Sequence, residues 1–315
     1  MTMNTQNSMV MTRTRQLWRG AKIFASHWQL YVLILPAIIY VAIFNYGPMY
    51  GVQIAFRDFR PTLGIWGSEW VGLHHFRRFV TFPDFWPLLR NTLRITVYQL
   101  SLFPLPIMLA VLFNEMRHQK FKRVVQMVTY APYFLSVVIL VSLVRLFFGT
   151  DGPINTFLVN LGFERVMFMQ SGPIFPHLFV WTGVWASLGW GTIIYMAALA
   201  GVSPELIEAA RIDGATRLRV IWHVHLPAIM PAIVITFILS VGGILALGFE
   251  RVFLMQTPLN LSTSRVIATY VYDIGILGAQ WSFSAAIGLF NNIVNIIMVF
   301  IVNAIARRVT SIGLW

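Results

Sequence analysis

The most informative part of this chain reads Glu208-Ala209-Ala210-Arg211-Ile212-Asp213-Gly214 and, after nine more residues, Val224-His225-Leu226-Pro227. Ser203 and Pro204 come before it, in the order typical of a helix start, and a glycine such as Gly214 is the usual residue just past a helix end. These signals predict a short helix of about ten residues. The segment lies between two long apolar stretches, so we expect it to form a loop between two membrane spans.

The predicted loop helix carries small and acidic side chains together. Ala209 and Ala210 give it a surface that the backbone of another protein can approach closely, and Glu208 and Asp213 place acidic groups beside that surface. Pro227 is expected to end the loop and to start the next span. The helix is therefore either an ordinary amphipathic loop helix or a docking element for a partner protein.

The composition is that of a membrane protein. Hydrophobic residues make up 57% of the 315 residues and charged residues only 11%, whereas about 25% of a soluble domain is charged. The chain has no cysteine, which excludes disulfides and cysteine-ligated metals. Its histidines follow no metal-binding pattern, so we expect no metal. The net charge of +12 is typical of cytoplasmic loops that contact a lipid bilayer, and we expect no nucleic acid partner.

Six apolar stretches are long enough to cross a bilayer. They cover roughly residues 28–50, 93–115, 124–148, 176–201, 227–249 and 284–306. The expected fold is therefore all-α and integral to the membrane, with six transmembrane helices. Lys and Arg are frequent before the first stretch and after the second, fourth and sixth, which indicates that both termini are cytoplasmic.

The first outer segment, residues 51–92, is an exception to this charge pattern. It is rich in arginine, and one more arginine follows at the start of the next span: Arg57, Arg60, Arg77, Arg78, Arg90 and Arg94. Three interpretations stay open, namely docking of an acidic binding protein, attraction of an acidic oligosaccharide, and contact with lipid headgroups together with local ion pairs.

These observations divide the chain into four parts. A basic tail, cytoplasmic or lying on the membrane interface, is expected at 1–27, and the first transmembrane helix with the basic outer segment at 28–92. A core transmembrane domain at 93–306 includes the loop 203–227, and a cytoplasmic tail at 307–315 ends the chain.

The loop resembles the cytoplasmic "EAA" loop of the permease subunits of binding-protein-dependent ABC importers, whose pattern is E-A-A, three residues, G, nine residues, I-x-L-P. Six positions are in register, and Val224 replaces the usual Ile: Glu208, Ala209, Ala210, Gly214, Leu226 and Pro227. Other stretches are similar to the LplB-like polysaccharide branch of carbohydrate-importer permeases, among them Phe44-Asn45-Tyr46-Gly47-Pro48, Leu89-Arg90-Asn91-Thr92-Leu93 and Leu247-Gly248-Phe249-Glu250. The resemblance extends from about residue 28 to the C-terminus.

This resemblance implies a type I ABC importer permease in the bacterial cytoplasmic (inner) membrane, which moves an oligosaccharide such as an acidic alginate fragment. Its loop would be a coupling helix that inserts into a cleft of an ATP-binding subunit. The implied partners are a second homologous permease, two ATP-binding subunits and an extracytoplasmic solute-binding protein. The chain has no glycine-rich phosphate loop, so ATP and Mg are expected on the partner ATPase, and no catalytic site or cofactor is expected in this chain.

A path for sugars needs hydrogen-bonding groups and flat aromatic faces inside the spans. The candidates are Asn291, Asn292 and Asn295 in the sixth span, Trp181, Trp185 and Tyr195 in the fourth, and Gln99 in the second. Each type also has an alternative explanation. The asparagines can bond between helices, and the tryptophans can pack towards lipid or anchor the span at the interface.

Two other functions are weighed against the importer. A membrane-embedded, glycosyltransferase-like enzyme would need clustered carboxylates at an outer face, but Asp58, Glu69 and Asp84 are scattered. An ion-coupled transporter usually places acidic residues inside its spans. Here Glu115 and Glu250 lie only at span ends, and both alternatives leave residues 208–227 unexplained.

Overall fold

The computed structural model describes residues 28–243, 245 and 247–315, so the predicted basic tail 1–27 lies outside the described residues. Two short antiparallel strands, β1 (Arg57–Asp58) and β2 (Glu69–Trp70), pair with each other. The helices are α1 (Trp28–Val41), α2 (Gly64–Gly67), α3 (His74–Val80), α4 (Phe85–Ser101), α5 (Pro104–Glu115), α6 (Gln119–Tyr130), α7 (Val137–Phe148), α8 (Pro153–Asn160), α9 (Phe175–Ala200), α10 (Pro204–Ile212), α11 (Arg217–Val220), α12 (Leu226–Gly242), α13 (Phe249–Met255), α14 (Leu261–Ser264), α15 (Ile267–Tyr272) and α16 (Trp281–Thr310).

Six segments of the described chain are helical, long and apolar enough to cross a membrane, which confirms the predicted number. They are Trp28–Phe56, Phe85–Glu115, Val137–Asn160, Phe175–Ala200, Arg217–Gly242 and Trp281–Thr310. The second begins at Phe85 rather than near residue 93, so Arg90 and Arg94 lie on α4 and not in or beside a loop. The fourth and sixth agree closely with their expected bounds.

The third span differs from the prediction of 124–148. The helix α6 ends at Tyr130, a 3-10 turn follows at Ala131–Phe134, and the long apolar segment begins only at Val137. Pro132 lies in that turn, and a proline interrupts a helix because it has no N–H and its ring clashes with the preceding turn. The basic residues of α6 also make this helix more amphipathic than a transmembrane span. The predicted span started too early because the sequence is largely apolar from Val124 onward.

The fifth span also differs, because Pro227 does not start it. The helix begins at Arg217 and continues through a π-helical turn, Ile221–His225, into α12. The wider turn directly before the proline lets the helix continue without the missing N–H. The first span has the same arrangement, with a π-helical turn at Ala42–Tyr46 before Pro48, and it extends to Phe56.

The helix α9 lies at the centre of the packing. Its cytoplasm-directed half in the expected topology packs Leu199 against Ile107 of α5 and Ile229 of α12. Its other half packs Phe179 against Val252 of α13, in a larger cluster with residues of α4 and α7. By contrast, residues 28–50 of the first span are exposed throughout, so this span lies at the periphery with its apolar face free for lipid or another subunit.

The residues between the first two spans form a small unit that we call the outer hairpin unit, residues 57–80. It consists of β1, α2, β2 and α3, and it is fastened to the start of α16. The Phe59 N–H donates to Ser282 Oγ at 2.8 Å, and Arg78 Nη2 donates to Gln280 Oε1 at 2.9 Å. The Arg78 guanidinium also lies over the Phe283 ring, 4.2 Å from its centroid.

Candidate functional site

The loop helix α10 has a defined cap at each end. Ser203 Oγ accepts a hydrogen bond from the Glu205 N–H at 3.3 Å, and Pro204 occupies the first turn. At the other end Gly214 has φ +76°, and the Ala215 N–H donates to the Ala210 carbonyl at 2.9 Å. The Gly214 N–H also donates to the Arg211 carbonyl, and the two hydrogen bonds together form a Schellman motif. This motif gives partners to backbone carbonyls that a helix end otherwise leaves without one.

No residue of α10 is buried. Glu208, Ala209, Asp213 and Gly214 are exposed and Ala210 is half-buried. Apolar side chains on and beside the helix face the same solvent, with Leu206, Ile212 and Leu218 exposed by 58%, 86% and 69%. A capped helix with exposed leucine and isoleucine has the character of a surface that another protein covers.

The loop is joined to the bundle through the start of the fifth span. Leu226 packs in the cluster that contains Ile107 of α5 and Leu199 of α9, whereas Pro227 is exposed. His225 is buried, and its Nδ1 lies 3.5 Å from Glu115 Oε1 at the end of α5. The start of the fifth span, directly after the loop, therefore contacts both α5 and α9.

A second feature is a polar cavity of about 310 Å³ between α4, α5, α9, the end of α12 and α13. This volume is near the lower limit of small-molecule sites, roughly 300–1,000 Å³. Its polar lining residues are Thr96, Gln99, Ser187, Ser240 and Arg251. Gly183, on the wall, lies eight residues after the start of α9, which places the cavity about 12 Å along that helix.

Arg251 provides the positive charge of this cavity. Its guanidinium carbon lies 4.0 Å from the centroid of the Phe179 ring. A Cβ at Gly183 would overlap the guanidinium, so the glycine makes the space for it. None of the ion pairs among residues 28–243, 245 and 247–315 includes Arg251. Since arginine stays protonated in proteins, the cavity holds a cation that has no ion-pair partner among the described residues.

The structure separates the predicted path residues. Gln99 lines the cavity, but Trp181 and Trp185 line a different, apolar groove between α7, α8 and α9. Tyr195 is buried, and its hydroxyl lies 2.8 Å from Thr236 Oγ1, which ties α9 to α12. A path role for Trp181, Trp185 and Tyr195 is not tested by these positions and stays a prediction.

The three asparagines of the sixth span also have different surroundings. Asn295 Oδ1 accepts a hydrogen bond from the Leu245 N–H at 3.2 Å, which joins α16 to the segment that follows α12. Asn292 is exposed, and Asn291 Oδ1 is buried without a hydrogen bond in the described structure. Their role as path residues likewise stays a prediction.

Arg251 is not among the residues predicted from the sequence, because it follows the fifth apolar stretch, 227–249, and so falls in a segment between two expected spans. The structure instead places it on α13, which packs back against α9. One signal was available, since the arginine is followed by the apolar run Val252-Phe253-Leu254-Met255. Such an apolar run is consistent with a short segment that packs against the core.

In the outer hairpin unit half of the charged side chains have partners within the unit, namely Arg57, Asp58 and Arg60. Arg57 Nη1 donates to the Ser68 carbonyl at 2.8 Å, and Arg60 pairs with Asp58 at 3.3 Å. His75 is buried, and its Nε2 lies 3.1 Å from the Arg57 carbonyl. Burial lowers the pKa of His75, and the hydrogen bond to the carbonyl opposes this shift only in part. Arg77 is exposed, so this side chain stays available to a partner.

Comparisons with known proteins agree with this architecture. Residues 103–311 match the family model described as binding-protein-dependent transport system inner membrane component. The chain is 45% identical to Protein LplB of Bacillus subtilis (strain 168) over 91% of both chains. It is also 45% identical to the polygalacturonan/rhamnogalacturonan transport system permease protein YteP of the same organism, over 91% of this chain and 90% of that protein.

A solved structure has the same fold. It is the crystal structure of a bacterial alginate ABC transporter in complex with alginate pentasaccharide-bound periplasmic protein. One of its chains superposes with a TM-score of 0.86 at 34% sequence identity, over 93% of this chain and 99% of that one. The chain described here therefore belongs to the family of binding-protein-dependent transport system inner membrane components, the multi-pass permease subunits of ABC importers.

Proposed function

We propose that this permease imports an oligosaccharide and is driven by a separate ATPase that docks on α10. The observation that carries the proposal is a helix that is capped at both ends, has no buried residue and exposes its own Leu206 and Ile212. The E-A-A spacing at Glu208, Ala209 and Ala210 supports the same assignment. The relatives named for polygalacturonan/rhamnogalacturonan and for alginate support an oligosaccharide as the cargo.

The proposed complex contains this chain, a second homologous permease and two ATP-binding subunits, with ATP and Mg bound by the latter. An extracytoplasmic solute-binding protein delivers the sugar, and the solved relative in complex with its periplasmic protein supports this arrangement. The exposed face of residues 28–50 offers one surface for lipid or the second permease. The membrane is the bacterial inner membrane, with both termini and α10 in the cytoplasm, as the Lys and Arg distribution indicates.

In this mechanism the loop helix moves as a rigid body when the ATPase closes. The Schellman motif at Gly214 keeps the helix end fixed, and the helix from Arg217 through Gly242 carries the motion onward. The contacts of Leu226 and His225 then pass it to α5 and α9. The spans open alternately to the two sides, which is a gating movement between packed helices.

The test is purification of the tagged chain from its own host in mild detergent, with Glu208→Lys beside the wild type. We expect a second permease and an ATPase to co-purify with the wild type, and the ATPase to fall about tenfold or more in the variant, because reversing an interface charge costs several kcal/mol. Glu164→Lys makes the same charge change on an exposed residue outside the loop and serves as the control. Equal ATPase recovery from all three proteins contradicts docking on α10.

A further inference from the structure

The cavity around Arg251 has a chemical character that the import function does not by itself require. A neutral sugar needs donors and acceptors, but it does not need a positive charge. Arg251 is half-buried, and a cation that is partly removed from water is costly unless an anion neutralises it. Of the residues that the structure describes, no Asp or Glu forms an ion pair with Arg251, so this chain does not supply the counter-charge.

The guanidinium is also positioned rather than free. It stacks on Phe179 at 4.0 Å, and the missing Cβ at Gly183 gives it room. A cation–π contact does not use the N–H groups of the guanidinium as hydrogen-bond donors, so these donors remain for a ligand. Those donors form a fork that matches the two oxygens of a carboxylate. The site is thus shaped for a planar anion.

The other polar groups of the cavity suit a sugar. The hydroxyl of Ser187 donates to the Gly183 carbonyl at 2.9 Å, and that of Ser240 donates to the Thr236 carbonyl at 2.7 Å. Both oxygens therefore keep lone pairs that accept from sugar hydroxyls. The Gln99 amide, on the same cavity, offers both a donor and an acceptor.

We propose that this cavity is a carboxylate-binding subsite on the translocation path, in which Arg251 holds the carboxylate of an acidic sugar unit. The inference rests on the proposed import function and deepens it, because it makes the cargo an oligosaccharide of uronic acids. A carboxylate of a neighbouring subunit would have the same chemistry at Arg251. The two sources of the carboxylate can be distinguished. If the carboxylate belongs to the sugar, the effect of an Arg251 substitution depends on the charge of the cargo. If it belongs to a neighbouring subunit, the effect is the same for charged and neutral cargo.

The experiment uses the complete complex in proteoliposomes with its binding protein. Uptake is measured for a panel of uronic acid oligosaccharides, for the same sugars with methyl-esterified carboxylates, and for neutral oligosaccharides. The variants are Arg251→Gln and Arg251→Lys, and Arg165→Gln is the control, because this exposed arginine pairs with Asp151 away from the cavity. The ratio of variant to wild-type uptake cancels any preference of the binding protein.

We expect Arg251→Gln to lower uptake of an acidic sugar about 10- to 100-fold, as the loss of a charge-assisted hydrogen bond does. The same substitution should lower uptake of the methyl-esterified sugar less than about twofold. Arg251→Lys keeps the charge but loses the planar fork, so it should lower uptake of the acidic sugar less than Arg251→Gln does, and the control should match the wild type. Equal loss of both sugar forms by a variant complex that still assembles and hydrolyses ATP overturns the proposal, and so does a wild type that prefers neutral sugars. A wild-type complex that takes up no member of the panel contradicts the proposed import function instead.

Discussion

Gly214 is held in a left-handed conformation, φ +76°, at the end of the loop helix. A Cβ there would meet no atom within 4 Å, so a side chain is opposed by the backbone conformation and not by a clash. For an L-residue other than glycine this conformation costs about 1–2 kcal/mol. Gly214 therefore determines the angle between α10 and the next helix, α11.

Gly214→Ala is accordingly expected to reduce the stimulation of the ATPase by loaded binding protein about fivefold or more, because about 1 kcal/mol now opposes the docked loop geometry. The measurement is ATPase activity of the reconstituted complex. Gly201→Ala is the matched control in the same connection, since its φ is −84° and its Cβ would make an ordinary contact with the Ala198 carbonyl at 3.4 Å. Similar losses in both variants would show that the left-handed turn is not what matters.

Single residues were predictable where local chemistry fixes them. Ser203 and Gly214 are caps, and caps depend on neighbours in sequence, so both were predicted correctly. Arg251 could not be placed, because its position depends on α13 packing against Phe179, about seventy residues away in sequence. A charge count along the chain contains no information about that contact.

The outer hairpin unit is fastened to α16 chiefly through α3. Arg78 reaches both Gln280 and the Phe283 ring, whereas its neighbour Arg77 is exposed. The two arginines are adjacent in the sequence, but only Arg78 contacts α16. Arg78 holds the unit in place, and Arg77 is free to meet a partner.

We expect Arg78→Gln to speed hydrogen–deuterium exchange of the β1 and β2 amides, because the ring contact alone contributes about 0.5–1 kcal/mol at an exposed site. Arg77→Gln should leave exchange unchanged. It should weaken binding-protein-dependent uptake more at low salt than at high salt, because salt screens exposed charges. Identical exchange in both variants would contradict the anchoring role, and a salt-independent effect of Arg77→Gln would contradict electrostatic docking.

The number of spans follows from apolar length, and all six were predictable for that reason. Their bounds were less predictable, and two of the differences involve a proline. Pro132 breaks its helix, whereas Pro227 continues within one, and the difference is the π-helical turn Ile221–His225. Such a turn depends on tertiary contacts, for example those of the buried His225, and has no signal in the sequence itself.

Over the whole molecule, the loop helix and the cavity are joined by one continuous helix. The fifth span begins at Arg217 beside α10 and ends at Gly242, and Ser240 near its end lines the cavity. Along the way Leu226 packs on α5 and α9, the two helices that also border the cavity. We propose that this continuous helix is the route by which events at the loop change the shape of the polar cavity.

The central claim is that α10 docks on the ATPase, and site-specific cross-linking tests it most directly. The chain has no cysteine, so a single Ala209→Cys can be labelled with a photoreactive maleimide without other sites on this chain. Thr62→Cys, exposed in the outer hairpin unit, is the control. We predict an adduct between position 209 and an ATP-binding subunit, and none with that subunit from position 62. No ATPase adduct at 209 in an intact, transporting complex, or one at 62, would contradict the claim.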